Sequence, residues 1–188
     1  SLHFATGNGD LQAMRSILSL DNVDINAKNH LKETPLHFSA IFCRIEALEL
    51  LLQYKGVDLN AKNSFGETPL HIAVASISDG NESLSFVKTL LNDSRTDINS
   101  KDSGGGTSLH IAIKNANFEG LAFLLSNKHS STSIKNSNGH TPLDLAKTYL
   151  KRRSRGKNRA IIEAMIKMLL RRQTKSAKDY IEALRVHL

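Results

Sequence analysis

Four histidines recur at a near-regular spacing in this chain: His3, His37, His71 and His110. A series of histidines suggests a metal site first, because a neutral imidazole nitrogen is a ready ligand for zinc. The three later ones each close a short string, at Thr34–His37, Thr68–His71 and Thr107–His110, and a fourth string, Thr141–Asp144, ends in Asp. Residues at one place in successive packed units stand about 8–10 Å apart, whereas the ligands of a single zinc ion lie about 2 Å from it. The histidines therefore cannot share an ion, and neither a metal nor another cofactor is expected.

The remaining reactive groups are few. Cys43 is the only cysteine, so no internal disulfide can form and a reducing compartment is the natural setting. Nothing in the spacing supplies it with a base, so a nucleophilic role is not expected. Gly104-Gly105-Gly106-Thr107 resembles an anion cradle but lacks the Gly-Lys-Ser/Thr ending of a phosphate loop. No paired-carboxylate, zinc-protease or serine-hydrolase signature is present. The chain is expected to be no enzyme and to take no small-molecule substrate.

The elements that position these residues follow from the repeat itself. The Thr of each string stands 34, 39 and 34 residues after the one before, and Leu2-His3-Phe4-Ala5 precedes Leu36-His37-Phe38-Ser39 by 34. All three prolines, Pro35, Pro69 and Pro142, follow such a Thr. Thr is a good N-cap and Pro fits the first helical position, so a helix is predicted to start at each. Amphipathic runs with apolar residues three and four apart follow at Leu11–Leu18, Ile45–Leu52, Leu84–Leu91, Phe118–Leu125 and Ile162–Leu169. Each unit then closes on Val23–Asn26, Val57–Asn60, Thr96–Asn99 or the degraded Thr132–Lys135, read as an extended turn. One such unit cannot bury both faces, so neighbours must stack.

Composition agrees with thin stacked helices. Aromatic residues make up 5% and Trp is absent. No run approaches the roughly 18 consecutive apolar residues of a membrane span, and no signal peptide is visible. The first residue is Ser1 rather than Met, so the chain reads as part of a longer protein, and a missing catalytic or targeting domain stays open. Charge is uneven: residues 1–146 hold 12 Lys/Arg against 15 Asp/Glu, while residues 147–178 hold 12 Lys/Arg against Glu163 alone.

Thr-Pro-Leu-His followed by Ala, a period near 34 residues, and Asp24-Ile-Asn-Ala-Lys-Asn29 together resemble the ankyrin repeat. The resemblance covers about residues 2–170, in five repeats near 1–29, 30–63, 64–102, 103–136 and 137–172. It implies an all-α fold, a solenoid of stacked helix-turn-helix units with extended turn tips, forming one domain over 1–172. Lys32, Cys43 and Ala116 depart from the family by standing where Gly is usual, and Asp144 replaces the last His. In the family the His bonds locally and to the next unit. The asparagines equivalent to Asn26, Asn60 and Asn99 tie down the turns, and they also resemble sites of asparaginyl hydroxylation in animal cells.

The resemblance further implies a non-catalytic protein-protein interaction module, adaptor or scaffold, that binds through its turn tips and the concave face of its first helices. Those positions include Leu31, Glu33, Phe65, Glu67 and His140 on the tips and Ile41, Phe42, Lys114 and Asn115 on the first helices. Two readings of Phe42 stand, as part of an apolar interface or as a filler of the space left by the missing Gly at Cys43. The expected partner is a protein, and the chain is expected to be monomeric. A rival is the substrate-recruiting domain of a larger enzyme.

The basic run Lys151, Arg152, Arg153, Arg155, Lys157 and Arg159 falls in an extra stretch between the two helices of the last unit, predicted as a loop over 151–159. Three readings stand for it: a solvated terminal face, contact with nucleic acid or an anionic membrane surface, or nuclear import. Ser176–Asp179 reads as a capping box that opens a C-terminal capping helix within 173–188. A cytoplasmic location is expected, with the nucleus as the alternative. The Asn-, Ser- and Lys-rich composition is similar to ankyrin proteins of intracellular bacteria, which implies a secreted effector acting in the host cytosol.

Overall fold

The computed structural model describes residues 1–76, 81–152 and 157–174, and these form ten helices and no strand. The chain divides into two compact units, Ser1–Ser103 and Gly104–Leu188. In the first, α1 (Leu2–Asn8), α3 (Pro35–Ile41) and α5 (Pro69–Ala75) are short first helices. They alternate with the second helices α2 (Leu11–Leu18), α4 (Ile45–Leu52) and α6 (Asn81–Asn92). The other unit has α7 (Ser108–Lys114), α8 (Phe118–Ser126), α9 (Pro142–Arg152) and α10 (Lys157–Thr174). Within the first unit α1 packs on α3 and α3 on α5, while α2, α4 and α6 form the adjoining row.

The predicted starts at Pro35, Pro69 and Pro142 are the observed ones. At Thr34, Thr68 and Thr107 the cap is reciprocal: the Thr side chain takes the backbone N–H of the His three residues on, and that imidazole takes the Thr N–H. Close packing of first helices follows from small residues at one place in every unit. Ala5, Ser39, Ala73, Ala112 and Ala146 are all buried, and Ser39 satisfies its hydroxyl on the Leu36 carbonyl at 2.7 Å. The second helices supply bulk, with Leu48, Leu51, Phe86, Val87 and Leu90 buried in the first unit. Leu121, Leu124, Ile162, Met165 and Leu169 do the same in the second.

Two elements differ from expectation. The helix predicted over Leu84–Leu91 runs from Asn81 to Asn92. The loop predicted over 151–159 is shorter, because α9 extends through Arg152 and α10 begins at Lys157. Strong helix formers in the run, Lys and Arg, let both helices grow into it. Arg153 and Arg155 lie outside the described residues, as does the predicted C-terminal helix over 177–188.

The substitutions of glycine have a conformational meaning. Among the described residues the first, second and fourth repeats turn between their helices through a left-handed residue, Gly9 at φ 71°, Cys43 at 51° and Ala116 at 53°. The turn tips need another, filled by Lys32 at 58°, then Gly66, Gly105 and Gly139 at 70–77°. At Gly66 a Cβ would come within 2.5 Å of the Ser103 nitrogen, so the glycine there serves both the turn and the close approach of the next tip. A left-handed residue with a side chain costs about 1–2 kcal/mol, offset in part by the greater freedom of an unfolded glycine. Cys43→Gly and Ala116→Gly should therefore each raise unfolding free energy by about 0.5–1 kcal/mol, read in denaturant titrations; a loss of stability in both would contradict the strain.

Candidate protein-interaction surface

The polar residues of the repeat are spent on holding units together. His3 Nε2 lies 2.9 Å from the Glu33 carbonyl, His37 Nε2 3.1 Å from that of Glu67, and His110 Nε2 3.0 Å from that of His140. His37 Nδ1 accepts the Thr34 N–H at 3.1 Å and sits 2.9 Å from the Thr34 hydroxyl, so the ring is neutral with its proton on Nε2. Burial holds its pKa below the ordinary 6.5, and the Glu67 carbonyl and Glu33 charge only partly oppose that. Asn26 and Asn60 make a second link. Each donates Nδ2–H to a carbonyl of the next repeat (Gly56 and Arg95, both 2.7 Å) and accepts a backbone N–H from it (Asp58 at 2.8 Å, Asp97 at 2.7 Å).

The tips are built the same way in both units. Asn29 Oδ1 accepts the N–H groups of Leu31 and Glu33, Asn63 those of Phe65 and Glu67, and Asn136 those of Asn138 and His140. Successive tips join through backbone, Ser64 N–H to the Leu31 carbonyl at 2.8 Å and Ser103 N–H to that of Phe65 at 3.0 Å. Ser137 N–H to the Gly104 carbonyl at 2.8 Å repeats the bond in the second unit.

Against this scaffold the sequence-derived positions separate. Leu31, Ile41, Phe42 and Phe65 are exposed, at 38%, 37%, 49% and 61%. Leu31 and Phe65 sit at one place on two adjoining tips. The Phe42 ring lies 6.1 Å from that of Phe38, and both rings approach within 3.2 Å of where a Gly7 Cβ would stand. Phe42 thus packs over Gly7 and still presents half its surface. Glu33 and Glu67 are half-buried and accept Asn29 and Asn63 Nδ2–H at 2.8 and 3.1 Å, which makes them parts of the tip. His140 is half-buried and serves through its backbone. Lys114 and Asn115 are exposed at the end of α7, in the second unit.

Among the described residues Phe4, Leu20, Tyr54 and Leu170 are also exposed and lie outside the sequence-derived set, Phe4 being the most exposed large apolar side chain at 70%. Of the basic run, Lys151 is exposed at the end of α9, and Arg159 is paired with Glu163 at 3.0 Å one helical turn on.

Residues 2–102 match the family model described as ankyrin repeats (3 copies), and residues 87–146 match the one described as ankyrin repeats (many copies). The chain belongs to the ankyrin repeat family. No curated protein matches it. Two further features shape these ankyrin repeats. Asp144, in the place of the His, accepts the Thr141 N–H at 3.1 Å and hydroxyl at 2.7 Å, and those bonds hold its pKa below the usual carboxylate value. The carboxylate keeps the cap but carries no proton to donate onward. The other feature is Arg95, whose guanidinium pairs with Asp93 at 2.6 Å and donates to the carbonyls of Leu52, Tyr54 and Lys55 at 3.1–3.3 Å. It closes the exposed C-terminus of α4, where a cation also meets the negative end of the helix dipole. Arg44 does this for α1 through the Gly7 carbonyl at 3.0 Å, and Arg172 for α8 through Asn127 and Lys128 at 3.3 Å.

Two measurements test this scaffold. Arg95→Ala should cost about 1–2 kcal/mol in unfolding free energy, and an unchanged denaturation midpoint would show the carbonyls satisfied by water instead. For His37, the unfolded chain binds a proton near pH 6.5 that the folded state refuses until lower pH. Its stabilisation is complete above that value and is lost as pH falls below it. Melting curves should drop on acidification from about pH 6.5, with a shallower drop in His37→Gln.

Proposed function

We propose that this chain is a non-catalytic protein-binding module that grips its partner with the turn tips and first helices of Ser1–Ser103. Ankyrin repeats mediate protein–protein interaction, and the coarse reading follows from the family. The finer one is carried by a single observation: α1, α3 and α5 contain no charged residue, and the large apolar side chains Phe4 and Ile41 stay exposed on them, with Phe42 exposed at the C-cap of α3. Apolar side chains exposed together on uncharged elements mark an interface. An uncharged face also gives no purchase to the phosphates of nucleic acid or lipid.

Contact of the basic run with nucleic acid or an anionic surface is the second reading. It has weaker support, because the Arg159 charge is already paired with Glu163. A recruiting role within a larger enzyme is compatible with the same surface. The matched families lend nothing to a bacterial source or an effector role. Among the described residues no helix is long and apolar enough to cross a membrane.

The test is selection of protein binders against the whole chain from a displayed library, followed by affinity measurement. Phe65→Ala should weaken them by about tenfold or more without moving the melting temperature, since its ring is largely free of the core. Phe42→Ala should weaken them similarly at some cost in stability. If binders are indifferent to both changes but lost with Lys151→Ala and Arg152→Ala, the basic run is the site and the reading falls.

A further inference from the structure

We propose that the end of the Ser1–Ser103 stack formed by α2 and the turn Val23–Asn26 is a second docking surface. Its occupant is a further helical repeat that closes on an asparagine, as the first three repeats here do. This surface is separate from the tips and first helices and goes beyond the protein-binding reading above. The second repeat has a neighbour on either side, and there Ala47, Leu51, Val57 and Leu59 are buried. Their counterparts 34 residues earlier, Ala13, Ile17, Val23 and Ile25, keep an apolar type but stand half-exposed. A terminal repeat that ends a stack needs a polar outer face. Ser16, in the place of the buried Leu50, meets that need, whereas the other four positions do not.

The polar groups of this end repeat the pattern. Asn26 bonds the Gly56 carbonyl and the Asp58 N–H of the second repeat, and Asn60 bonds the equivalent Arg95 carbonyl and Asp97 N–H of the third. In the first repeat the same pair is the Asn22 carbonyl and the Asp24 N–H, and among the described residues nothing bonds either group. Both residues are exposed, so water serves these groups until a partner displaces it. A carboxamide, with donor and acceptor on one side chain, complements the pair.

Continuity with the packing of α2 on α4 selects the occupant. A unit seated on the first repeat as the first is seated on the second covers the four apolar side chains with its own helices. The same placement brings its closing asparagine to Asn22 and Asp24. A lone apolar helix could cover Ile17 but would leave the Asn22–Asp24 pair to water. A repeat closing like Thr132–Lys135 fits less well, because Lys135 stands in the asparagine's place and an ammonium offers no acceptor to the Asp24 N–H.

The probe is the whole chain carrying a second copy of residues 35–68 ahead of Ser1. The join sets Thr68 of the copy before Ser1-Leu2-His3, the order found at Thr107–His110. Circular dichroism should show the added copy to be helical, and the melting temperature should rise by at least about 2–4 °C. Asn60→Lys in the copy alone should remove much of that rise. Ala13→Arg should leave the unextended chain's melting temperature unchanged, since its site is half open, yet abolish the rise in the extended one. A copy that stays unstructured, adds no stability, or gives a rise indifferent to both changes overturns the inference. Dimerisation of the unextended chain in sedimentation, lost with Ala13→Arg, overturns it too, because a second copy of the chain would then occupy this end.

Discussion

A hydrogen bond between an imidazole Nε2 and a carbonyl thirty residues downstream is the link on which the stacking of these repeats depends. It is made by His3, His37 and His110 in nearly the same geometry. At His37 and His110 one ring caps its own helix through Nδ1 and holds the next turn tip through Nε2, so local structure and stacking are formed by one side chain. Two short helices cannot bury both of their faces, and a helix of seven residues is marginal in isolation. Coupling the cap to the neighbour makes formation of one unit favour formation of the next. Asp144 shows the two roles apart, since it retains the cap and has no proton for the onward link.

The other cross-repeat bonds follow the same economy. Asn26 and Asn60 each give a donor and an acceptor to the following turn, and Arg95 covers three carbonyls of the preceding repeat. These bonds satisfy backbone groups that helix ends and turns leave open. With so much polar capacity committed inward, the outward chemistry falls to a few side chains. On Ser1–Ser103 these include the exposed apolar residues of the first helices and tips. The half-buried Glu33 and Glu67 illustrate the boundary: they lie in tip positions, but their carboxylates belong to the scaffold.

Much of this was legible in the order of residues. The three Thr-Pro pairs marked helix starts, because a proline is harmless only where no intrahelical donor is needed. Lys32, Cys43 and Ala116 stood out as departures from glycine, and all three have the left-handed backbone that the glycine places imply. Periodicity also reached the core, since Leu48, Leu51, Leu121 and Leu169 are buried as their spacing requires. Less legible were the ends of α9 and α10. A charged run looks like a loop when composition is weighed, but Lys and Arg extend a helix as readily as they end one.

By itself the sequence determined the repeat, the helix starts and the left-handed turns, because each depends on residues near one another in the chain. The tertiary structure decided which polar side chains are used up and which remain. Glu33 is tied to Asn29 within its own tip, while Arg95 reaches Leu52, Tyr54 and Lys55 more than forty positions away or nearly so, and no periodicity announces which carbonyl a guanidinium will meet. Exposure was settled the same way. Phe38 and Phe4 share a place in the repeat, yet Phe38 lies edge-on to His3 with ring centres 5.3 Å apart while Phe4 stands 70% exposed. The difference is in what each ring packs against, and only the assembled stack supplies that.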